Sequence, residues 1–248
     1  MISRLIKSLR LAYKISNNRT FADVHAISNS EVSKLPNRTD ILNYLLSLLH
    51  RETSYLEIGV RNPNDNFANI HANIKYSVDP GVEFKENPVD FRMTSDEFFR
   101  QLQSGDILSR YMQFDVIFID GLHLAEQVDR DVANALKYVK EDGFIVLHDC
   151  NPPTEWHARE DYYFPLSPAK LYWNGTTWKA FLKYRFDDSL NSCCVDTDWG
   201  VGILSKSRNL GKAIPASNPF FEYNVLNDNR RELLNLVSFD TLRELLHK

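Results

Sequence analysis

Two short stretches concentrate the side chains best suited to moving protons or holding a cation. Asp120-Gly-Leu-His123 and His148-Asp149-Cys150-Asn151 each bring an acid and an imidazole within a few residues of one another. A histidine titrates near neutrality, so His123 suits the removal of a proton from a hydroxyl group. His123, Asp120, Asp149 and His148 are therefore the catalytic candidates. Asp120 and Asp149, joined by Asn151, offer the oxygens that Mg2+ or another hard divalent cation prefers. The mixed set His123, His148, Asp149 and His157 would suit zinc or iron instead. Neither stretch has the compact spacing of a metal motif.

A second constellation lies nearer the start of the chain. Glu57-Ile-Gly59-Val60 is followed, twenty residues past Gly59, by Asp79-Pro80-Gly81. A glycine at such a turn lets backbone approach a cofactor, and an acid at that distance can accept from two ribose hydroxyls. Nicotinamide dinucleotides and S-adenosylmethionine (SAM) are bound by the same logic. A pyrophosphate needs further glycines at a helix N-terminus, and here Asn62-Pro63-Asn64-Asp65 fills that place. Glu57 is also ill-suited beside a pyrophosphate and well suited beside a sulfonium or amino group. The pattern thus favours SAM over NAD.

These residues are useful only if strands deliver them to one edge. Ser54–Ile58, Ile74–Val78, Phe114–Ile119 and Phe144–His148 are short apolar runs, with Val89–Met93 a weaker one. Near-continuous apolar strands are those buried on both faces of a parallel sheet. Between them, Val128, Val132, Leu136 and Val139 give Leu124–Lys140 a helical spacing, and Gly143 follows as the expected turn into the next strand. Thr176–Arg185 is predicted helical, and Cys193–Thr197 with Val201–Lys206 forms a late strand pair around Asp198-Trp199-Gly200. Alternating strands and helices make a doubly wound α/β sheet, whose ligands lie beyond the carboxyl ends of its strands. Glu57, Asp79, Asp120 and Asp149 all fall there.

The flanks are helical. Asp40 is the expected N-cap of a helix carrying Ile41, Leu42, Leu45 and Leu46. Met1 to Ile15 alternates Leu5, Ile6, Leu9 and Leu11 with Arg4, Lys7, Arg10 and Lys14; it is expected to pack on the domain or a partner chain, with membrane-surface anchoring as the alternative. The stretch from Arg230 through Leu246 is predicted to be amphipathic helix, and with the N-terminal helices offers a homodimer surface.

Composition bounds the rest. With 43% hydrophobic residues the 248-residue chain can bury an ordinary core, and a net charge of -4 gives no general attraction to nucleic acid. No apolar run is long enough for a transmembrane segment. Cys150, Cys193 and Cys194 are too few for a disulfide framework, which fits a cytoplasmic location.

At the residues that carry the chemistry, the sequence resembles the class I SAM-dependent methyltransferases, and within them the methyltransferase 24 group found with polysaccharide- and sugar-modifying enzymes. The similar stretches are Tyr55-Leu-Glu-Ile-Gly-Val60, Tyr76-Ser-Val-Asp-Pro-Gly81, Met93-Thr-Ser-Asp-Glu-Phe-Phe99, Phe114 through His123, and Ile145 through Pro152. Trp178-Lys179 and Val195 through Gly200 are similar too. The resemblance implies a seven-stranded Rossmann-like sheet with helical N- and C-terminal extensions. It places Glu57, Gly59 and Val60 near the methionine part of SAM, Asp79 on the ribose, and Thr94, Ser95 and Asp96 near the adenine, with Asp120 closing the cofactor set. In metal-dependent O-methyltransferases an Asp-x-x-base follows the fourth strand, as Asp120 and His123 do here, and an Asp-Asn pair follows the fifth. Asp149 matches that pair, but Cys150 stands where the Asn would be, with Asn151 one place later.

The expected organisation is a helical extension over residues 1–50, a SAM-binding domain over 51–210, and a loop and helical extension over 211–248. The expected activity is O-methylation of a hydroxyl on a sugar, glycan or other small molecule. A Rossmann-type NAD-dependent oxidoreductase and a non-catalytic SAM-fold binding protein are the alternatives.

Overall fold

The structure, a computed structural model, describes residues 2–83, 86, 88–164 and 166–247. Met1, the first residue of the basic segment, lies outside them. Seven strands form one sheet: β1 (Ser54–Ile58), β2 (Ile74–Val78), β3 (Phe114–Ile119), β4 (Val139–Leu147), β5 (Asn191–Val195), β6 (Val201–Ser205) and β7 (Leu236–Val237). Their order is β2-β1-β3-β4-β6-β5-β7. β6 runs antiparallel to both neighbours, and the other pairings are parallel. The doubly wound, mostly parallel fold expected from the alternating apolar runs is the fold observed.

Period-two alternation sends successive side chains to opposite faces. Leu56, Ile58, Ile117, Ile119 and Ile145 face one core, completed by α4 (Ser95–Ser104), α5 (Ala125–Tyr138), α6 (Thr177–Arg185) and α7 (Tyr223–Leu233). Tyr55, Val116, Phe118, Phe144 and Val146 face the other, closed by α3 (Arg38–Ser47) and α8 (Phe239–Leu246). The strand order turns outward in both directions from β1, so the carboxyl ends of β1, β3 and β4 border one crevice.

Several boundaries differ from expectation for local reasons. Val89–Met93 supplies only a bridge between Phe91 and Val78, because the Asp90 side chain takes the Ser77 amide and hydroxyl at 2.9 and 2.7 Å. α5 stops at Tyr138 and Val139 pairs with Phe114, the strand absorbing Gly143 after a bulge. Gly143 is thus no turn; a Cβ there would stand 2.6 Å from the Asp115 carbonyl oxygen, so the close approach requires glycine. α3 is capped by Asn37, with Asp40 returning the bond to the Asn37 amide in a capping box. The helix expected from Arg230 to Leu246 is broken at Asn235, left-handed at φ 46°. The Asn235 amide donates to the Ser192 and Leu210 carbonyls, which pins Leu236 and Val237 against β5.

The chain breaks between α1 (Ile2–Ser16) and α2 (Arg19–Val32) at Asn17 and Asn18, where the Asn18 side chain caps α2. α1 does not pack into the domain: residues 4–14 are exposed around the whole helix. Among the described residues no helix is long and apolar enough to cross a membrane.

Candidate active site

Gly59 follows β1 with φ at +89°, and its amide donates to the Val78 carbonyl at 2.9 Å. A Cβ at this position would lie 2.3 Å from the Asp120 carbonyl oxygen, so the turns after β1 and β3 touch through a position only glycine can occupy. Val60 beside it is buried. Glu57, at the end of β1, is buried and accepts from the Tyr55 hydroxyl at 2.6 Å and the Asn66 amide at 2.8 Å. Burial pushes the Glu57 carboxyl up to about 7, with the Asp120 charge adding to the effect, against the hydrogen bonds from Tyr55 and Asn66.

Asp79 stands half-buried at the tip of β2 and accepts from the Gly81 amide at 2.6 Å, an arrangement that fixes its carboxylate. Thr94 caps α4 through the Glu97 amide. Ser95 accepts from Gln127, and Asp96 faces Arg130 at 3.4 Å, so both tie α4 to α5.

The four catalytic candidates converge. His123 Nε2 lies 3.4 Å from Asp120, and Nδ1 lies 3.1 Å from Asp149. His148 Nδ1 is 3.2 Å from both Asp120 and Asp149. Asp149 is itself left-handed at φ 62° and is held there by the Asn174 amide, which donates to Oδ1 at 2.8 Å. Two further groups complete the cluster: His148 Nε2 faces Asp198 at 3.2 Å, and the Arg38 backbone amide donates to the same carboxylate at 2.8 Å. The Arg38 guanidinium lies 3.7 Å from Asp120.

Charge balance sets the protonation of this cluster. Burial alone would lower the His123 pKa, but Asp149 and Asp120 outweigh it and push it up to about 9. His148 is driven well above its ordinary value by the same two carboxylates, also against burial. Burial would raise Asp120, yet His148 and His123 hold it well below the usual carboxylate range.

One oxygen each from Asp120 and Asp149 and one nitrogen from His123 lie within 4.8 Å of one another, close enough to share a cation. The Asn174 Oδ1 atom beside Asp149 is buried with no hydrogen-bond partner among the described residues. Such a mixed oxygen and nitrogen set fits a divalent ion. Asn151 is not part of it; its amide donates to Asp196 at 3.2 Å and its oxygen accepts from Arg230. His157 is also elsewhere, bonded to Thr154 at 2.8 Å and Ser28 at 3.0 Å.

The aromatic segment between β4 and α6 forms one wall. Trp173 stacks on His123 with ring centres 5.1 Å apart, and its indole donates to the Arg159 carbonyl. Arg159 in turn gathers the carbonyls of Trp156, Tyr162, Lys170 and Tyr172. Its guanidinium therefore builds the wall itself.

Arg38, Asn66, Asn174 and Asp198 escaped the sequence reading as partners in the site. Arg38 and Asn174 come from elements far along the chain and carry no motif. Asp198 was visible only as a turn residue, and its left-handed backbone is what turns it toward His148.

A mostly parallel seven-stranded sheet, a glycine cradle after β1 and an acid at the tip of β2 define a Rossmann-like cofactor-binding fold. A family profile described as a methyltransferase domain, methyltransferase 24, matches residues 16–150, over half of the 248 residues, and the chain belongs to this family. No curated protein matches the chain. Among solved structures it is similar to MycE methyltransferase of the mycinamycin biosynthetic pathway, in complex with Mg, S-adenosylhomocysteine (SAH) and mycinamycin VI. That match has 14% identity and a TM-score of 0.45, covering 83% of this chain and 58% of MycE. It is also similar to SAH-bound PaMTH1 of Podospora anserina, at 14% identity and TM-score 0.43 over 82% of this chain and 95% of that one. An O-methyltransferase from Bacillus cereus in complex with SAH matches at 12% identity and TM-score 0.40, over 76% of this chain and 90% of the other.

Proposed function

We propose that this methyltransferase uses SAM to methylate a hydroxyl oxygen of a sugar, glycan or other small molecule, with His123 as the base. The observation that carries the proposal is the convergence of His123, Asp120 and Asp149 next to the Gly59 turn. Glu57, Gly59 and Val60 would hold the methionine part of SAM, Asp79 the ribose, and Thr94, Ser95 and Asp96 the adenine side. Bound there, SAM supplies an electrophilic methyl group.

The protein's own work is alignment and proton removal. His123 accepts the acceptor's hydroxyl proton, and it must be neutral to do so. Asp120 and Asp149 keep it protonated in the cation-free state. A divalent ion held by Asp120 and Asp149, with His123 left outside the coordination set as the base, would offset their charge and lower the His123 pKa toward neutrality. The aromatic wall at Trp173 and Tyr162, edge-on to each other at 5.4 Å, supports an acceptor with an apolar ring face. The three cysteines are free and buried, which supports a reducing, cytoplasmic setting.

Thermal stabilisation by SAM and SAH, absent with NAD, followed by labelled-methyl transfer to a panel of hydroxylated acceptors, tests the reading. Stabilisation by NAD alone would overturn it in favour of an oxidoreductase. SAM binding without transfer to any acceptor would leave a binding protein. Asp79→Ala should weaken SAM affinity by about tenfold or more by calorimetry, since a ribose-binding carboxylate accepts charge-assisted hydrogen bonds. Affinity equal to the wild type would remove Asp79 from the site.

A further inference from the structure

We propose that α1 is a peripheral anchor that seats the protein on an anionic phospholipid bilayer. The helix carries Arg4, Lys7, Arg10 and Lys14 and no acidic residue. Leu5, Ile6, Leu9 and Tyr13 recur at spacings that place them on one face of a 3.6-residue helix; Arg10 borders that stripe, and Arg4, Lys7 and Lys14 lie opposite it with Leu11 among them. Leu5 and Leu9 are each 61% exposed, Ile6 44% and Tyr13 71%, so the domain does not cover that face.

Charge selects the occupant. The chain has a net charge of -4, so without these four cations the remainder stands at -8. An anionic surface would therefore repel the body and attract α1 alone. A basic amphipathic helix of this kind lies in the headgroup plane with its apolar stripe toward the acyl chains. A second copy of α1 could cover the stripe but would leave the cations without a counter-charge, because the helix carries no acidic residue. The bilayer meets the apolar face and the basic face at once. This inference stands apart from the methyl-transfer reading.

The test is co-sedimentation of the full chain with vesicles of about equal parts phosphatidylglycerol and phosphatidylcholine, and with vesicles of phosphatidylcholine alone. Strong binding to the anionic vesicles, weak binding to the neutral ones, and loss in about 0.5 M salt are expected, since that salt shortens electrostatic reach to a few ångströms. Lys7→Gln with Arg10→Gln should weaken partitioning roughly 30-fold, at ~1 kcal/mol for each cation near the surface. Leu5→Glu with Leu9→Glu should abolish it. All four side chains are exposed, so an unchanged melting temperature should confirm that the variants fold, and the lipid and salt dependence of the wild type is decisive without them. No sedimentation with anionic vesicles at low salt, equal binding to both vesicle types, or binding retained by the glutamate variant would each overturn the proposal. An α1-dependent dimer that ignores vesicles would overturn it too and assign the face to a second copy.

Discussion

Glu57 is a buried acid whose carboxyl titrates at about 7 in the folded protein and near 4.5 unfolded. Between those values the folded chain holds a proton that the unfolded chain releases, so stability falls as pH rises from 4.5 through 7. Glu57→Gln should remove that loss while keeping an oxygen for Tyr55 and Asn66. At pH 8 the variant should gain on the order of 1–3 kcal/mol in urea unfolding and bind SAM about tenfold less tightly. A variant less stable than the wild type at that pH would show that the burial argument fails. His123 is the reverse case, a base held charged by its neighbours at about 9. In metal-free enzyme kcat/KM should climb with pH toward that value, and His123→Gln should lose about 10²–10⁴ in turnover with SAM affinity unchanged. Unchanged turnover would remove His123 as the base.

At the level of elements, β1, β2 and β3 occupy the residues expected of them because each is a run of five or six residues, a length that suits a strand and not a helix. What was hidden is what depends on one side chain replacing a backbone bond. Asp90 bonding Ser77 erodes a strand, and Asn235 bonding two carbonyls breaks a helix to make β7. The site shows the same division. Strand ends put Glu57, Asp79, Asp120 and Asp149 at one edge in sequence and in space, whereas Arg38 arrives from α3 and Asn174 from the approach to α6, with no local pattern to announce them. Residue type alone places His157 among the metal candidates. It joins α2, through Ser28, to the turn at Thr154, and burial with the nearby Arg159 charge lowers its pKa to about 4. The unfolded chain takes up a proton near the ordinary 6.5, and the folded chain does so only near 4. Stability from this junction is therefore present above 6.5 and is lost as pH falls through the window. His157→Gln, which can still hydrogen-bond at both ends, should flatten the fall in melting temperature between about pH 6.5 and 4.5. An unaltered slope would mean that other groups, not this junction, carry the acid sensitivity.

Across the whole molecule the two terminal helices differ in what they give the fold. α8 closes the core on the α3 side of the sheet: Leu242 is fully buried with Ile41 and Leu45, and Phe239 meets Tyr44 edge-on at 5.2 Å. The apolar face expected to serve a dimer is used there inside the protein. α1 buries none of its residues from 4 to 14. Leu242→Ala should consequently cost about 2–5 kcal/mol, the lost transfer energy plus the cavity left between α8, α3 and the sheet. Removing residues 2–14 should change stability by no more than about 0.5 kcal/mol, because residues 4–14 are exposed throughout. Urea unfolding of both variants with an unchanged m-value checks the pair. A large loss on removing α1 would show that its stripe is covered in solution by the protein's own surface or a second copy, and would count against the bilayer as its partner.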